Sequence, residues 1–325
     1  MMETYTLIVL LLAATIRVAT PLLLAAIAGL FSERAGVIDL GLEGKMLGAA
    51  FAAAAVSATT GSVWLGLGAG IATAVLLALL IGFACITHKG NQVVAGMAVT
   101  IMVVGLGPTL GLAWFGLGGQ TPQLDGAGQR FMGIAWPGAA AAKEMPFPGL
   151  LYSELLSGQN SIVYFTAALV PLSAWIFYRT RFGLRLRAVG ENPHAVDTAG
   201  ISVNGLRYQA VVISGVLCGV AGTYLSTAAS SGFVRDMTAG KGYLALAALI
   251  FGQWKPVPTL GACLLFAFTD ALATRLQGVA LPVVGVIPVQ FILALPYVLT
   301  VWLLAGFVGK AVAPRAIGVP YSKEK

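Results

Sequence analysis

Charge is what this chain has least of. Only 10% of its 325 residues are Asp, Glu, Lys or Arg, against 58% that are hydrophobic. A water-soluble domain carries about 25% charged residues, so a soluble globular protein is excluded. Histidine and cysteine are also scarce, at 2 and 3 residues. His88 and His194 fall in separate polar segments, while Cys85, Cys218 and Cys263 sit in apolar runs without ligand spacing. That leaves no material for a metal centre, a disulfide framework or a catalytic triad, and the thiols read as core filling. A phosphate-binding loop is missing too, since it needs Gly, four residues, then Gly-Lys-Ser/Thr. Gly44-Lys45 has Asp39 and Met46 at the outer positions, and Gly240-Lys241 has Arg235 and Gly242. No cofactor is expected, and the chain does not read as an enzyme. No basic residue precedes Arg17, so Ala26-Ile27-Ala28 reads as part of a first span rather than a signal cleavage site.

What the chain has is a succession of apolar runs. A bilayer core takes about 20 apolar residues per helix. The expected spans are roughly 5–30 (bent near Pro21), 36–60, 63–86, 92–115, 160–178, 207–228, 239–252, 257–276 and 287–308. The fold class is therefore an all-α polytopic membrane protein with about nine to ten transmembrane segments in one domain, 1–325. The 41 glycines permit close helix packing where lipid removes the hydrophobic drive.

The net charge of +7 resides in loops and does not point to nucleic acid. Residues 179–207 carry Arg179, Arg181, Arg185, Arg187 and Arg207, the densest basic loop, which is therefore assigned to the cytoplasm. Counting from it puts the N-terminus outside and the tail with Lys310, Arg315, Lys323 and Lys325 inside; Arg130, Lys143 and Arg235 are exceptions. Trp64 and Trp114 near outer ends, and Trp175, Trp254 and Trp302 near inner ends, read as an interfacial belt. The outer loop 116–159 holds Gly149 to Leu156, which suits a short interfacial helix.

One polar stretch recurs. Gly36-Val37-Ile38 followed by Gly44-Lys45 is echoed at a constant offset by Gly232-Phe233-Val234 followed by Gly240-Lys241. The second expected span is interrupted at Gly41 to Lys45, and the seventh is short. The assigned topology runs these two spans in opposite directions, so the echo implies an inverted repeat, with halves of roughly 31–115 and 228–310. Asp39 and Glu43, four apart, share a helix face if the helix is continuous. Intramembrane charges default to a functional reading. Candidate pathway residues are Asp39, Glu43, Lys45, Asn91, Lys241 and Tyr243. The alternative is a structural network around the broken span. Asn91 also suits a helix N-cap.

In the basic loop, Glu191-Asn192-Pro193-His194 through Asp197 to Gly200 predicts a short helix: Asn192 as N-cap, Pro193 in the first turn, Gly200 as stop. Two turns are not stable alone, so this helix must dock on something. Gly190-Glu191-Asn192-Pro193 through Ala199-Gly200-Ile201, with Ser214-Gly215 and Ala221-Gly222, resembles the coupling region of ABC-importer permeases in the branched-chain amino acid/ribose/nucleoside superfamily. Glu33 to Gly44 resembles the nucleoside-type branch, and Gly240 to Ala247 with Phe251-Gly252 resembles a late motif of the same family. Lys45 and Lys241 depart from the less basic residues expected after those glycines. The resemblance implies a permease subunit for nucleosides or related small sugars in the cytoplasmic (inner) membrane. It also implies partners: a second permease subunit, the same or different; two ABC ATPase subunits that hydrolyse ATP; and an extracytoplasmic substrate-binding protein. Glu191, Asn192, Pro193, His194, Asp197 and Gly200 would couple to the ATPase. The alternatives are an ion-gradient-driven secondary transporter, or an ABC permease for ribose or branched-chain amino acids.

Overall fold

The computed structural model describes residues 2–126, 128–139, 148–276, 280–281, 285–286, 291, 294, 298, 301 and 312–323. The expected ninth span at 287–308, Trp302, Lys143, Lys310 and Lys325 lie outside the described residues or fall on them only in part. Helix dominates. α1 is Met2–Arg34, α2 Leu42–Thr60, α3 Val63–Gly82, α4 Gln92–Phe115 and α5 Pro148–Leu151. They are followed by α6 Ser161–Arg179, α7 Arg181–Glu191, α8 Pro193–Thr198, α9 Val203–Tyr224, α10 Lys241–Phe251 and α11 Pro256–Leu276. Wider π turns extend α3 over Phe83–Thr87, α5 over Tyr152–Leu156 and α9 over Leu225–Ala229. A two-residue antiparallel pair, Ala280–Leu281 with Gly285–Val286, follows α11.

Local chemistry sets the helix ends. Asn91 caps α4, its side chain accepting from Val93 N and Val94 N. Asn160 caps α6 and Ser202 caps α9 in the same way. Gly61 and Gly116 end α2 and α4 in the left-handed region, where a side chain is strained. Among the described residues, six helical stretches are long and apolar enough to cross a bilayer: Tyr5–Arg34, Val63–Thr87, Gln92–Phe115, Ser161–Arg179, Val203–Ala229 and Pro256–Leu276. They coincide with the first, third, fourth, fifth, sixth and eighth expected spans. The chain is a multi-pass helical membrane protein.

Three expectations need correction. The second span is not broken at Gly41 to Lys45: residues 35–41 form a buried non-helical link, and α2 then runs unbroken from Leu42. The basic loop holds two helices rather than one. Leu186 and Val189 face inward from α7 with Gly183 and Gly190, while Arg181 and Arg185 face outward, so an amphipathic helix precedes α8. Trp254 is no belt residue; it is buried, unlike the exposed Trp64, Trp114 and Trp175.

Packing follows small residues. α9 lies against α1, α2 and α3. A Cβ on Gly222 would come within 2.1 Å of Met46 O, and one on Gly219 within 2.6 Å of Ile71 Cα. Backbones thus approach as closely as glycine allows, the geometry that stabilises helix pairs in lipid. On the other flank α1 packs on α10 and α11, and Phe31 meets Phe177 of α6 with ring centres 4.7 Å apart. The exchange is reciprocal: α1 sits on the pair α10–α11, and α9 sits on the pair α2–α3.

Gly222→Val is expected to destabilise the fold by about 1–3 kcal/mol, the range for overpacking. Gly68→Ala, which meets open space, is expected to have no effect. Thermal unfolding in detergent distinguishes them, and equal melting of both variants would contradict the packing described.

Candidate functional site

The link between α1 and α2 turns at Gly36, whose φ of 85° suits glycine. Ser32 Oγ donates to Val37 O at 2.9 Å, and Ile38 N donates to Gln92 Oε1 at 2.6 Å, so both ends of the link are tied. This places Asp39 under the first turn of α2, facing α9. There Lys45 Nζ donates to Asp39 Oδ2 and, at 2.8 Å, to Ser214 Oγ. Ser214 Oγ in turn donates to Asp39 Oδ2 at 2.6 Å. All three side chains are buried. Their mutual bonding is what permits two charges at membrane depth, since either alone pays several kcal/mol of lost hydration.

Glu43 performs a different task. It lies in the first turn of α2, and its carboxylate reaches the first turn of α10. Oε1 accepts from Gly240 N at 2.9 Å and Oε2 from Gly242 N at 2.6 Å. A Cβ on Gly242 would fall within 2.5 Å of Glu43 N, so the two helix starts are in direct contact. Each helix N-terminus presents unpaired N–H groups and a partial positive charge of about half a unit. One carboxylate therefore neutralises two convergent positive ends, and without it they would repel.

A third junction sits at the end of α1. Glu33 Oε2 accepts from Trp254 Nε1 at 2.5 Å, and Arg34 Nε and Nη2 donate to Trp254 O at 2.9 and 2.7 Å. These bonds hold the α10–α11 turn, where Gln253 and Trp254 adopt φ of 51° and 52°. Non-glycine residues there persist only when neighbours fix them.

Beside Glu43 opens a cavity of about 340 Å³, lined also by Leu47, Thr100, Ile101, Thr238 and Tyr243. Its surface is mainly apolar, with the Glu43 carboxylate, the Thr100 and Thr238 hydroxyls and the Tyr243 ring among its lining groups. A second cavity of about 430 Å³ between α2, α3 and α4, lined by Phe51, Leu76, Leu106 and Trp114, is almost wholly apolar. Of the candidate pathway residues, Glu43 and Tyr243 line the first cavity. The Tyr243 hydroxyl lies 3.6 Å from Met97 Sδ. Asp39 and Lys45 are sealed in their ion pair. Lys241 is half-buried as the first residue of α10. Asn91 is exposed and occupied as a cap, away from this cavity. Thr100 and Thr238 escaped the sequence reading because a lone Thr in an apolar run gives no signal. Glu33 and Trp254 are paired across the chain, which no local pattern reveals.

The expected short helix is α8. Asn192 Oδ1 accepts from Ala195 N at 3.1 Å, Pro193 opens the helix, and Gly200 follows it with φ of 76°. Glu191, Asn192, His194 and Gly200 are exposed, Pro193 and Asp197 half-buried, and Val196 buried. One side is anchored and the other is free to meet a partner.

The described residues thus form a bundle of apolar helices with buried charged junctions and an exposed short helix. The sequence profile of the branched-chain amino acid transport system permease component matches residues 11–312, and the chain belongs to this family. It is a permease component of the ABC-transporter type. Among its relatives is the guanosine ABC transporter permease protein NupQ of Bacillus subtilis, 38% identical over 96% of both chains. The nucleoside ABC transporter permease protein NupC of Lactococcus lactis is 36% identical over 94% of both. TsgC13 of Haloferax volcanii, a permease protein named for glucose, is 39% identical over 83% of this chain and 79% of that one.

Removing one partner of a buried ion pair leaves an uncompensated charge and costs about 3–5 kcal/mol. Lys45→Met alone is thus expected to lower the unfolding temperature sharply. The double variant Lys45→Met with Asp39→Leu is expected to recover most of the loss. Failure of the second change to rescue the first would show that the pair is not what holds this junction.

Proposed function

We propose that this chain is the membrane subunit of an ATP-driven importer for nucleosides. The observation that carries the reading is likeness to a guanosine permease and a nucleoside permease over nearly the whole of all three chains. The Glu33 to Gly44 segment contributes Glu33, Arg34, Asp39 and Glu43 to the three junctions, so the motif and the geometry overlap. A small-sugar cargo is the second reading, supported by the glucose-named relative. Nucleosides contain a pentose, and a cavity of about 340 Å³ lined by Glu43, Thr100, Thr238 and Tyr243 suits ribose hydroxyls and a base ring alike.

Mechanism follows from the junctions. α2 and α10 start against one another, and the helix preceding each half packs on the other half: α1 on α10–α11, α9 on α2–α3. Two halves of roughly 31–115 and 228–310, running in opposite senses, account for this reciprocal packing. Rocking of one half against the other about Glu43 would expose the cavity to alternate sides. α2 and α10 enter the membrane without matching the six full spans. The loop 179–207 faces the cytoplasm. The tail shares its side, since Ala316 N donates to Gly190 O at 2.8 Å. The N-terminus then lies outside. Energy comes from two ATPase subunits docked on α8, with Glu191, Asn192, His194 and Gly200 at the contact. A second permease subunit completes the pathway. A substrate-binding protein delivers cargo to the outer face, where loop 116–159 is pinned by Thr121 N to Phe233 O and Leu124 N to Ser231 O.

The direct test is uptake of radiolabelled guanosine by proteoliposomes holding the complete transporter, with and without ATP. ATP-dependent uptake is expected, competed by other nucleosides and not by glucose. Uptake driven by a proton or sodium gradient without ATPase subunits would overturn the reading. Gly200→Val forces a β-branched residue into the left-handed region. It is expected to cut substrate-stimulated ATP hydrolysis severalfold while the permease still accumulates in the membrane. Undiminished stimulation would remove α8 from the coupling role.

A further inference from the structure

Residues 312–323 contribute nothing to the cavity, and they form no helix or strand. A segment without helix or strand stays ordered only where it is tied down, and this one is tied along its length. Ala316 N donates to Gly190 O at 2.8 Å, at the end of α7, and Gly318 N donates to Gly36 O at 3.1 Å, in the α1–α2 link. Arg207 joins the same two segments from α9: Nε donates to Ala35 O at 3.2 Å and Nη1 to Val319 O at 3.1 Å. Arg207 is fully buried, an expensive place for a guanidinium unless its bonds matter. The fit leaves no slack at Gly36, where a Cβ would lie 3.0 Å from both Ala316 O and Arg207 Nη2. Further on, Tyr321 is buried with Val189, Val196, Val203 and Leu206, and its ring centre is 5.4 Å from that of His194. Lys323 Nζ stands 3.8 Å from Asp197, and with the lysine exposed the pair carries little weight.

The connection has a consequence. α8 has six residues and cannot sustain itself. Its buried contact is Val196, and Tyr321 is part of the apolar platform beneath it. The other end of the same segment grips Gly36, with Arg207 bonding the adjacent Ala35, and this link leads directly to Asp39 and Glu43. We propose that residues 312–323 are a strap that splints α8 to the α1–α2 link, with Arg207 and Tyr321 as positioning residues. Movement imposed on α8 passes through the strap to the link, and so to the buried junctions. This inference rests on the proposed reading of the chain as an ATP-driven permease.

The test uses the complete transporter in proteoliposomes and measures guanosine imported per ATP hydrolysed. Loss of folded protein lowers import and hydrolysis together, whereas a failed splint lowers their ratio. Tyr321→Ala and truncation after Pro314 are each expected to lower the ratio severalfold with the ATPase still bound, and Tyr321→Phe is expected to restore it. If the truncated chain does not accumulate, Tyr321→Ala decides alone. An unchanged ratio in Tyr321→Ala overturns the strap. So does release of the ATPase from that variant, which would make the segment a docking surface instead. A wild-type complex that imports nothing on ATP overturns the importer reading and the strap with it. A wild-type complex that imports, beside an unaffected Tyr321→Ala, overturns the strap alone.

Discussion

The carboxylate of Glu43 stands between two helix N-termini, and the architecture around it depends on that placement. Helix starts are electropositive and rich in unpaired donors, so two of them meeting inside a membrane protein is unfavourable. Glu43 makes the meeting possible by accepting from Gly240 N and Gly242 N while sitting in the first turn of its own helix. The glycines are needed for the same reason. Gly240 takes a φ of 78°, and Gly242 leaves room for the Glu43 backbone.

The remaining charges reinforce this point rather than compete with it. Asp39, Lys45 and Ser214 bind α2 to α9, while Glu33 and Arg34 bind α1 to the turn before α11. Each junction joins segments far apart in the chain, and each includes a helix end, with Ser214 answering from the middle of α9. Helix midsections pack largely through close contacts at Gly and Ala.

Six spans were legible in the sequence because uniform apolarity over a bilayer's thickness needs no long-range information. The Asn192–Pro193–Gly200 helix was legible because caps and stops are local chemistry, as was the cap at Asn91. The polar Gly36 to Lys45 segment stands out in the sequence, but its form does not. Glycine spacing suggested a broken helix, whereas Gln92 and Ser32 hold an irregular link ahead of an intact α2. α7 hid behind its arginines, although Leu186 and Val189 carry a readable amphipathic signal. Position alone suggests a belt residue at Trp254, whereas its bond to Glu33 and its place in the apolar core account for its burial. The tail was unreadable for a simple reason: its partners, such as Arg207 for Val319, lie more than a hundred residues away.

The central claim is that one carboxylate ties the two helix starts together. Backbone amide exchange at Gly240 and Gly242 measures it most directly, comparing the wild type with Glu43→Ala in detergent or nanodiscs. The account predicts strong protection at both amides in the wild type and a selective loss in Glu43→Ala, with α3 and α9 unaffected. Equal protection in the two proteins would contradict it.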